Sequence, residues 1–340
     1  FWQHFCLSEG KKRGLDVNAL GNPEKITDAF TAAIARSMQV IFEETMLCAM
    51  EAFEAILDGL GIAKKNLILG GGSALNVVTN QRILNETSFE HYLVPPDCDD
   101  TGIASGAALA VNHVVLEQPR NNITDTDTRS RSGQAYLGRQ FSQSNVLKTL
   151  DEHSDSINFE VRDDWIEMAA RDIADGRIIG WFEGRSEVGP RALGHRSIIA
   201  NATLLNSWER VNRLKKRELW RPLAPSVLEN RAAEYFADTE AKSPFMTFNA
   251  RVISSSIPAV THVDGTARIQ TVDQSVGGYH RLIEAVAEIN GVPVVLNTSF
   301  NGPDEPIVDT PDEAIHFFVN GTLDALYIEG VRVVRAQNYN

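Results

Sequence analysis

The chain has 340 residues, 43% hydrophobic and 23% charged, with a formal net charge of -13; that length suits about two domains whose cores need no disulfide or metal staple. No run approaches the roughly 18 apolar residues of a membrane span, and the acidic balance argues against broad binding to nucleic acid or an anionic membrane. Cys6, Cys48 and Cys98 are too few and too scattered for a disulfide scaffold or a zinc knuckle and fit a reducing, cytoplasmic setting. The chain opens at Phe1 without a Met, so further residues are expected upstream.

Residues 26–60 are predicted to form a helix, with Thr27-Asp28 as an N-cap, apolar residues three and four apart, and Gly59 and Gly61 at its end. The apolar run 66–70 reads as a buried strand that ends in Gly70-Gly71-Gly72 and leads into a helix from about Ala74 to Leu84. A second strand at 91–94 ends at Pro95-Pro96, and a helix of small residues follows, with His113 and Cys98 expected to be buried core residues. This alternation predicts an α/β layer with a largely parallel sheet. Residues 117–135 are polar and aperiodic and read as a linker. Beyond it a helix is predicted near 164–175, then strands at 178–183, 195–200, 222–228, 245–252, 259–263 and 266–272. A helix near 278–289, a strand at 293–297, a helix at 311–319 and strands at 324–328 and 331–335 complete an α+β unit of about 200 residues.

Charge is unevenly spread. Between Arg185 and Arg221 nine Lys and Arg face only Glu187, Glu209 and Glu218, which makes this stretch strongly basic inside an acidic chain. Either it is a solvated helix face near 207–217 or it is an anion pocket. Four polar islands at strand ends favour the pocket. The first, 180–198, is a turn-rich loop with Gly184, Gly189-Pro190 and Gly194 that carries Arg185, Arg191 and Arg196. Arginines offer a planar fork suited to phosphate or carboxylate. The second, 215–226, holds Lys216 and Arg221 on a segment stiffened by Pro222 and Pro225. The third presents Arg268 and Gln270 after an Asp-Gly turn, and the fourth ends a strand in Asn297, Thr298, Ser299 and Asn301. Taken singly, the last two also read as simple hairpin turns.

The strings GPRALGHRSI, KKRELWRPLAPS, HVDGTARIQTV and LNTSFNGPDEPIVDTP closely resemble the C-terminal, YrdC-like domain of the O-carbamoyltransferases of antibiotic and nodulation-factor biosynthesis. LILGGGSALNVVTNQRIL with PPDCDDTGIASGAALA resembles the second half of that family's actin/hexokinase-like (ASKHA) transferase domain. The resemblance implies an ASKHA-like part over 1–118, a linker at 119–135 and a YrdC-like domain over 136–340. It implies two steps: carbamoyl phosphate and ATP, with its Mg²⁺, give carbamoyl adenylate, and the carbamoyl group then passes to a hydroxyl of a small acceptor. By motif position Arg191, Lys216, Arg221 and Arg268 would hold phosphates and act in catalysis. Asn297 and Ser299 would hold the carbamoyl group, with Arg196 and Ser197 as second-rank candidates.

In the N-terminal part, Gly70, Gly71, Gly72 and Asn76 fit either a nucleotide site or a plain strand–helix turn, and the resemblance favours the nucleotide. It also makes Asp100 a ligand for a divalent metal such as Fe²⁺ or Mn²⁺. The family's metal site needs a further pair of histidines spaced H-x-x-x-H, and none of the eight His here forms such a pair. The transfer site is therefore expected to be incomplete without a missing N-terminal half or a partner chain. The alternatives are a protein thiol or a tRNA adenosine as acceptor, or a nucleotide-binding subunit that is not itself catalytic.

Overall fold

The computed structural model describes residues 29–119, 135–237 and 242–336. The predicted helix start at 26, Cys6 and most of the predicted linker lie outside these residues. The first part opens with α1 (Ala29–Gly59), β1 (Asn66–Ile68) and a 3₁₀ turn, Gly72–Leu75. Helix α2 (Val77–Glu86) and β2 (His91–Leu93) follow. The two strands pair in parallel with Leu67 opposite Tyr92, and Leu47, Leu67, Ile83 and Phe89 form a small core beneath them. A short 3₁₀ turn, Asp100–Gly102, leads into α3 (Ile103–Ala110), which widens into a π turn over Val111–Val115.

Helix α3 corrects one expectation. None of its residues is buried, and Val111, Val114 and Val115 beyond it are more than half exposed. His113 is only partly buried, with Nδ1 at 2.9 Å from the Gln118 carbonyl oxygen. Apolar composition puts a helix in a core only where another element packs over it, and none of the described residues covers this face. Cys98 is buried as expected, and its carbonyl accepts from the Gly71 amide at 2.5 Å.

The second part runs α4 (Gln143–Glu152), β3 (Ile157–Val161), α5 (Trp165–Ala174), β4 (Ile179–Phe182), β5 (Arg196–Asn201) and α6 (Leu205–Leu214). It continues through β6 (Ala224–Leu228), β7 (Phe236–Ala237), β8 (Asn249–Val252), β9 (Thr266–Arg268) and β10 (Gln270–Val272). Helix α7 (Gly278–Asn290), β11 (Val294–Ser299), α8 (Pro311–Asn320), β12 (Ala325–Ile328) and β13 (Val331–Arg335) end it. Eight strands form one mixed sheet in the order β10-β6-β11-β5-β4-β12-β13-β3, and β7, β8 and β9 form a second.

Successive side chains leave a strand on opposite faces, so the inner strands serve two cores. Phe182, Ile198, Leu296 and Leu326 point into one with α4, α6 and α8. Trp181, Ile199, Val295 and Tyr327 point into the other with α5 and α7. A sheet covered on both faces needs nearly continuous apolar strands, which is why β4, β6 and β12 are buried at every residue. Two predicted strands differ. The segment 259–263 is not a strand: Pro258–Val260 forms a 3₁₀ turn, and the N–H groups of Val260 and His262 donate within turns, to the Ile257 and Thr266 carbonyls. The single strand predicted at 266–272 is two, since consecutive buried Ile269 and Gln270 break the alternation and hand the chain from the small sheet to the large one.

The two parts touch. Tyr92 packs edge-on to Phe248 at 5.5 Å between ring centroids, and Asn80 Nδ2 donates to the Thr247 carbonyl at 2.9 Å. Gly194, at φ +110°, lies so close to the Tyr279 ring that a Cβ would overlap it. Gly194→Ala therefore combines backbone strain with overpacking and is expected to destabilise the second part by about 3 kcal/mol; a denaturant midpoint unchanged from the parent would contradict this.

Candidate active site

Strand register brings the four polar islands together. Antiparallel pairing sets Ser299 at the end of β11 opposite Ser197 near the start of β5, and Asn297 opposite Ala224 at the start of β6. Parallel pairing sets Gln270 at the start of β10 opposite Ser226. The end of β11 thus meets the starts of β5, β6 and β10, and the loop 184–194 and the turn after α6 close around them.

The loop is fixed by side chains that bind its backbone. Glu187 Oε1 accepts from the amides of Leu193 (2.7 Å), His195 (2.8 Å) and Arg196 (3.1 Å). Gly194 donates to Ser197 Oγ at 3.0 Å, and the Tyr136 hydroxyl donates to the Leu193 carbonyl at 2.9 Å. Gly189, at φ +89°, lies against the Pro96 carbonyl with no room for a Cβ. This contact brings the loop beside the Cys98-Asp99 turn, where the Asp99 carboxylate opposes the effect of burial on Arg191.

The predicted arginines divide into two kinds. Arg196 is fully buried and faces inward, with its guanidinium over the Phe182 ring at 3.5 Å. It donates to the carbonyls of Glu183, Gly184, His195 and Arg139 at 2.9–3.3 Å. These bonds satisfy a buried charge and tie the loop to β4. Arg191 and Arg268 behave differently. Burial lowers the pKa of both, and that of Arg268 is pulled down to about 9, with the charges of Arg191 and Arg217 adding to burial. Arg217 falls to about 10 through burial and then Arg221. Among the described residues none of Arg191, Arg217 and Arg268 forms an ion pair, whereas Arg221 is half exposed and paired with Glu218 at 2.9 Å. Arg268 Nε and Arg217 Nη2 are buried without a hydrogen-bond partner.

Of the two adjacent lysines, it is Lys215 and not Lys216 that turns towards the end of β11. Lys216 is exposed, at φ +48°. Lys215 is 5% exposed, and its Nζ donates to the Ser299 carbonyl (2.6 Å) and Oγ (3.2 Å) and to the Asn301 carbonyl (3.0 Å) and Oδ1 (2.7 Å). Burial, then Arg217 and Arg221, push its pKa down to about 7. The signal that separates the two lysines is helical phase: Val211 and Lys215 are four residues apart on the buried face of α6 and its extension. Beyond Ser299 and Asn301 a cavity of about 490 Å³ opens, lined also by Glu187, Arg196, Glu305 and Asp309, while Arg191, Lys215, Arg217, Arg268 and Asn297 lie off its wall.

In the first part Gly70, Gly71 and Gly72 are exposed, and a Cβ at Gly71 or Gly72 would meet nothing. Asn76 caps α2: its Oδ1 accepts from the Thr79 amide at 3.1 Å, and its Nδ2 donates to Gln39 Oε1 at 2.9 Å. Asp99 caps the turn before α3, and Asp100 is exposed. Among the described residues no three His, Cys, Asp or Glu side chains are placed to hold a metal ion together, so from this set Asp100 supplies one carboxylate.

Comparison with known proteins adds the following. A family model described as carbamoyltransferase C-terminus matches residues 170–335, and one described as carbamoyltransferase N-terminus matches 13–109. Nodulation protein NolNO of Sinorhizobium fredii is 42% identical over 272 residues, covering 78% of this chain and 39% of that protein. The 3'-hydroxymethylcephem-O-carbamoyltransferase of Amycolatopsis lactamdurans is 31% identical over 251 residues, covering 73% of this chain and 45% of its own length. The crystal structure of full-length HypF in its phosphate- and nucleotide-bound form superposes with a TM-score of 0.36 at 16% identity, over 54% of this chain and 23% of that one. The chain spans about half or less of the length of the curated relatives it matches.

The Lys215 ammonium sets a pH dependence. Above about pH 7 the folded chain releases this proton while the unfolded chain keeps it up to the ordinary lysine range, so this group's contribution to stability rises with pH across that window. Anion affinity runs the other way. Binding of pyrophosphate, followed by calorimetry, is expected to weaken from pH 6.5 towards pH 8.5 (about two pH units across this ionisation), and Lys215→Gln is expected to flatten the profile.

Proposed function

Because the chain belongs to the carbamoyltransferase family, we propose that it is the adenylate-forming part, together with a portion of the transfer part, of an O-carbamoyltransferase. One observation carries this reading: Lys215, Arg217, Arg268 and Arg191 are held together at one sheet end, partly or fully buried, with no carboxylate ion-paired to any of them among the described residues. Like charges gathered out of water raise the energy of the empty site, and a bound polyanion relieves it. Carbamoyl phosphate and ATP are such anions, and fixed cations also stabilise the charge that develops as a phosphoryl group is attacked.

The proposed chemistry balances with one water. Carbamoyl phosphate and water give carbamate and phosphate; a carbamate oxygen then attacks the α-phosphorus of ATP, with its Mg²⁺, and pyrophosphate leaves. An acceptor hydroxyl next attacks the carbamoyl carbon and AMP departs. In this scheme Arg191, Arg217 and Arg268 hold phosphate oxygens, Lys215 adds its charge while its ammonium stays on the Ser299 and Asn301 oxygens, and Lys216 and Arg221 stand at the exposed rim. Arg196 and Ser197 hold the loop, and Asn297 and Ser299 face the carbamoyl group.

The second part is read as the YrdC-like domain. Residues 29–118 are read as ASKHA-like, with the exposed backbone of Gly70–Gly72 against a nucleotide and Asn76 holding the helix behind it. A divalent metal at Asp100 needs ligands beyond the described residues, whether from a longer chain or a partner. The acceptor is read as a small molecule bearing a hydroxyl, and the setting as cytoplasmic. Among the described residues no helix is long and apolar enough to cross a membrane.

Exchange of labelled pyrophosphate into ATP that depends on carbamoyl phosphate tests the adenylation step. Arg268→Ala and Lys215→Ala are expected to lower it on the order of 100-fold, and Arg221→Ala by less than about tenfold, since its partly exposed charge already has Glu218. Undiminished exchange in a folded Arg268→Ala protein would falsify the assignment of the pocket.

A further inference from the structure

Asn297 is 1% exposed, and its Oδ1 is buried with no hydrogen-bond partner. Its Nδ2 is crowded with acceptors: the Ala192 carbonyl at 3.3 Å, Ser226 Oγ at 3.1 Å and Gln270 Oε1 at 3.1 Å. Gln270, also 1% exposed, donates from Nε2 to the Leu193 carbonyl at 2.6 Å, and its Oε1 also accepts from Ser226 Oγ at 2.6 Å.

These contacts form a one-way relay. A backbone carbonyl can only accept, so the Leu193 carbonyl fixes which end of the Gln270 amide is nitrogen. The oxygen end of Gln270 then faces Asn297 and demands the nitrogen end of that amide, and the Ala192 carbonyl demands the same. Turning either amide over would set oxygen against oxygen in a buried place. The Asn297 group left bare is therefore an acceptor. It lies two residues before Ser299 on the same face of β11, and Ser299 lines the cavity. The cations at this sheet end, Lys215, Arg191, Arg217 and Arg268, can only donate, and the carboxylates on the cavity wall are Glu187, Glu305 and Asp309.

We propose that Gln270 is a positioning residue that sets Asn297 as the acceptor for an N–H of the ligand, so that this site selects an amide-bearing acyl phosphate over one carrying a methyl group or a second oxygen. The inference rests on the reading of the site as one for carbamoyl phosphate and deepens it, naming how the carbamoyl amino group is recognised. Acetyl phosphate is the informative comparison, because it replaces NH₂ by CH₃ and leaves the acyl phosphate otherwise alike. A buried acceptor left unpaired by a methyl group costs on the order of 1–3 kcal/mol, which is about five- to 150-fold in affinity.

Calorimetric titration of the whole chain with carbamoyl phosphate and with acetyl phosphate is the test. The unmodified protein is expected to prefer carbamoyl phosphate by at least about tenfold. Asn297→Ala, which removes the acceptor, and Gln270→Met, which breaks the relay at similar volume, are expected to bring the ratio close to one, mainly by weakening carbamoyl phosphate. Ser226→Ala, a smaller change to the same relay, is expected to reduce the ratio in part and serves if Gln270→Met does not fold. Equal binding of the two phosphates by the unmodified protein overturns the inference and leaves the anion site standing. A ratio unchanged in folded Asn297→Ala, or in both relay variants, overturns it too. If neither phosphate binds, the functional reading falls and this inference with it.

Discussion

Four cations that repel one another, Lys215, Arg217, Arg268 and Arg191, are held partly or fully out of water at one sheet end, where screening is weak. Coulomb repulsion grows as charges leave water, and it adds to burial in lowering the pKa of Arg268, Arg217 and Lys215. A chain free to relax would let these long side chains separate. What prevents this is that each is anchored on a different rigid element: Lys215 at the end of α6, Arg217 in the turn after it, Arg268 at the end of β9 and Arg191 in the loop before β5. The turn is itself pinned, since Arg217 Nε donates to Asn212 Oδ1 at 2.6 Å while Asn212 Nδ2 and Trp208 Nε1 bind the Arg221 carbonyl at 3.0 Å and 2.7 Å.

The same economy governs the loop. Its residues have no ladder to satisfy their backbone, and side chains take up part of that task. Glu187 takes three amides with one oxygen, Arg196 takes four carbonyls, and Gln270 and Tyr136 share the Leu193 carbonyl. A buried carboxylate and a buried guanidinium are costly alone, and here each is matched to backbone groups that would otherwise be orphaned. The loop thereby behaves as a rigid element, which a site that must keep four like charges in register requires.

Much of this was legible in the sequence because the physics is local. The alternation of strand and helix, the glycine-punctuated loop and the basic islands at strand ends mark the mixed sheet and the mouth where its strands meet. Less legible was what depends on phase or on distant partners. Lys215 and Lys216 are adjacent and chemically alike, and only the position of Lys215 four residues beyond buried Val211 places it inward. The helix Gln143–Glu152 carries a weak signal, with only Val146 and Leu150 buried; the strand Ile157–Val161 does alternate Ile157, Phe159 and Val161, but it is short and only Ile157 is buried. Helix α3 was misjudged for the opposite reason, since a run of small apolar residues says nothing about whether a neighbour covers it.

Arg196 and Arg191 show how far residue type alone can carry an assignment. Both lie in one loop five residues apart, and both have the planar, permanently charged fork that suits phosphate. Arg196 begins a strand at the centre of the sheet, where its guanidinium meets an aromatic face and carbonyls take both Nη atoms, while its Nε is buried without a partner and its side chain reaches the cavity wall. Arg191 follows Pro190 on the rim of the same loop, and its near neighbours of known effect are Cys98 and Asp99 across the contact between the two parts. Carbonyls thus hold both Nη atoms of Arg196, whereas Arg191 forms no ion pair among the described residues. The same test separates Arg268, with an unpartnered buried Nε, from Arg221, with Glu218 beside it. Buried polar atoms without a partner at Arg196, Arg217, Arg268 and Asn297 thus gather around the end of one strand, β11.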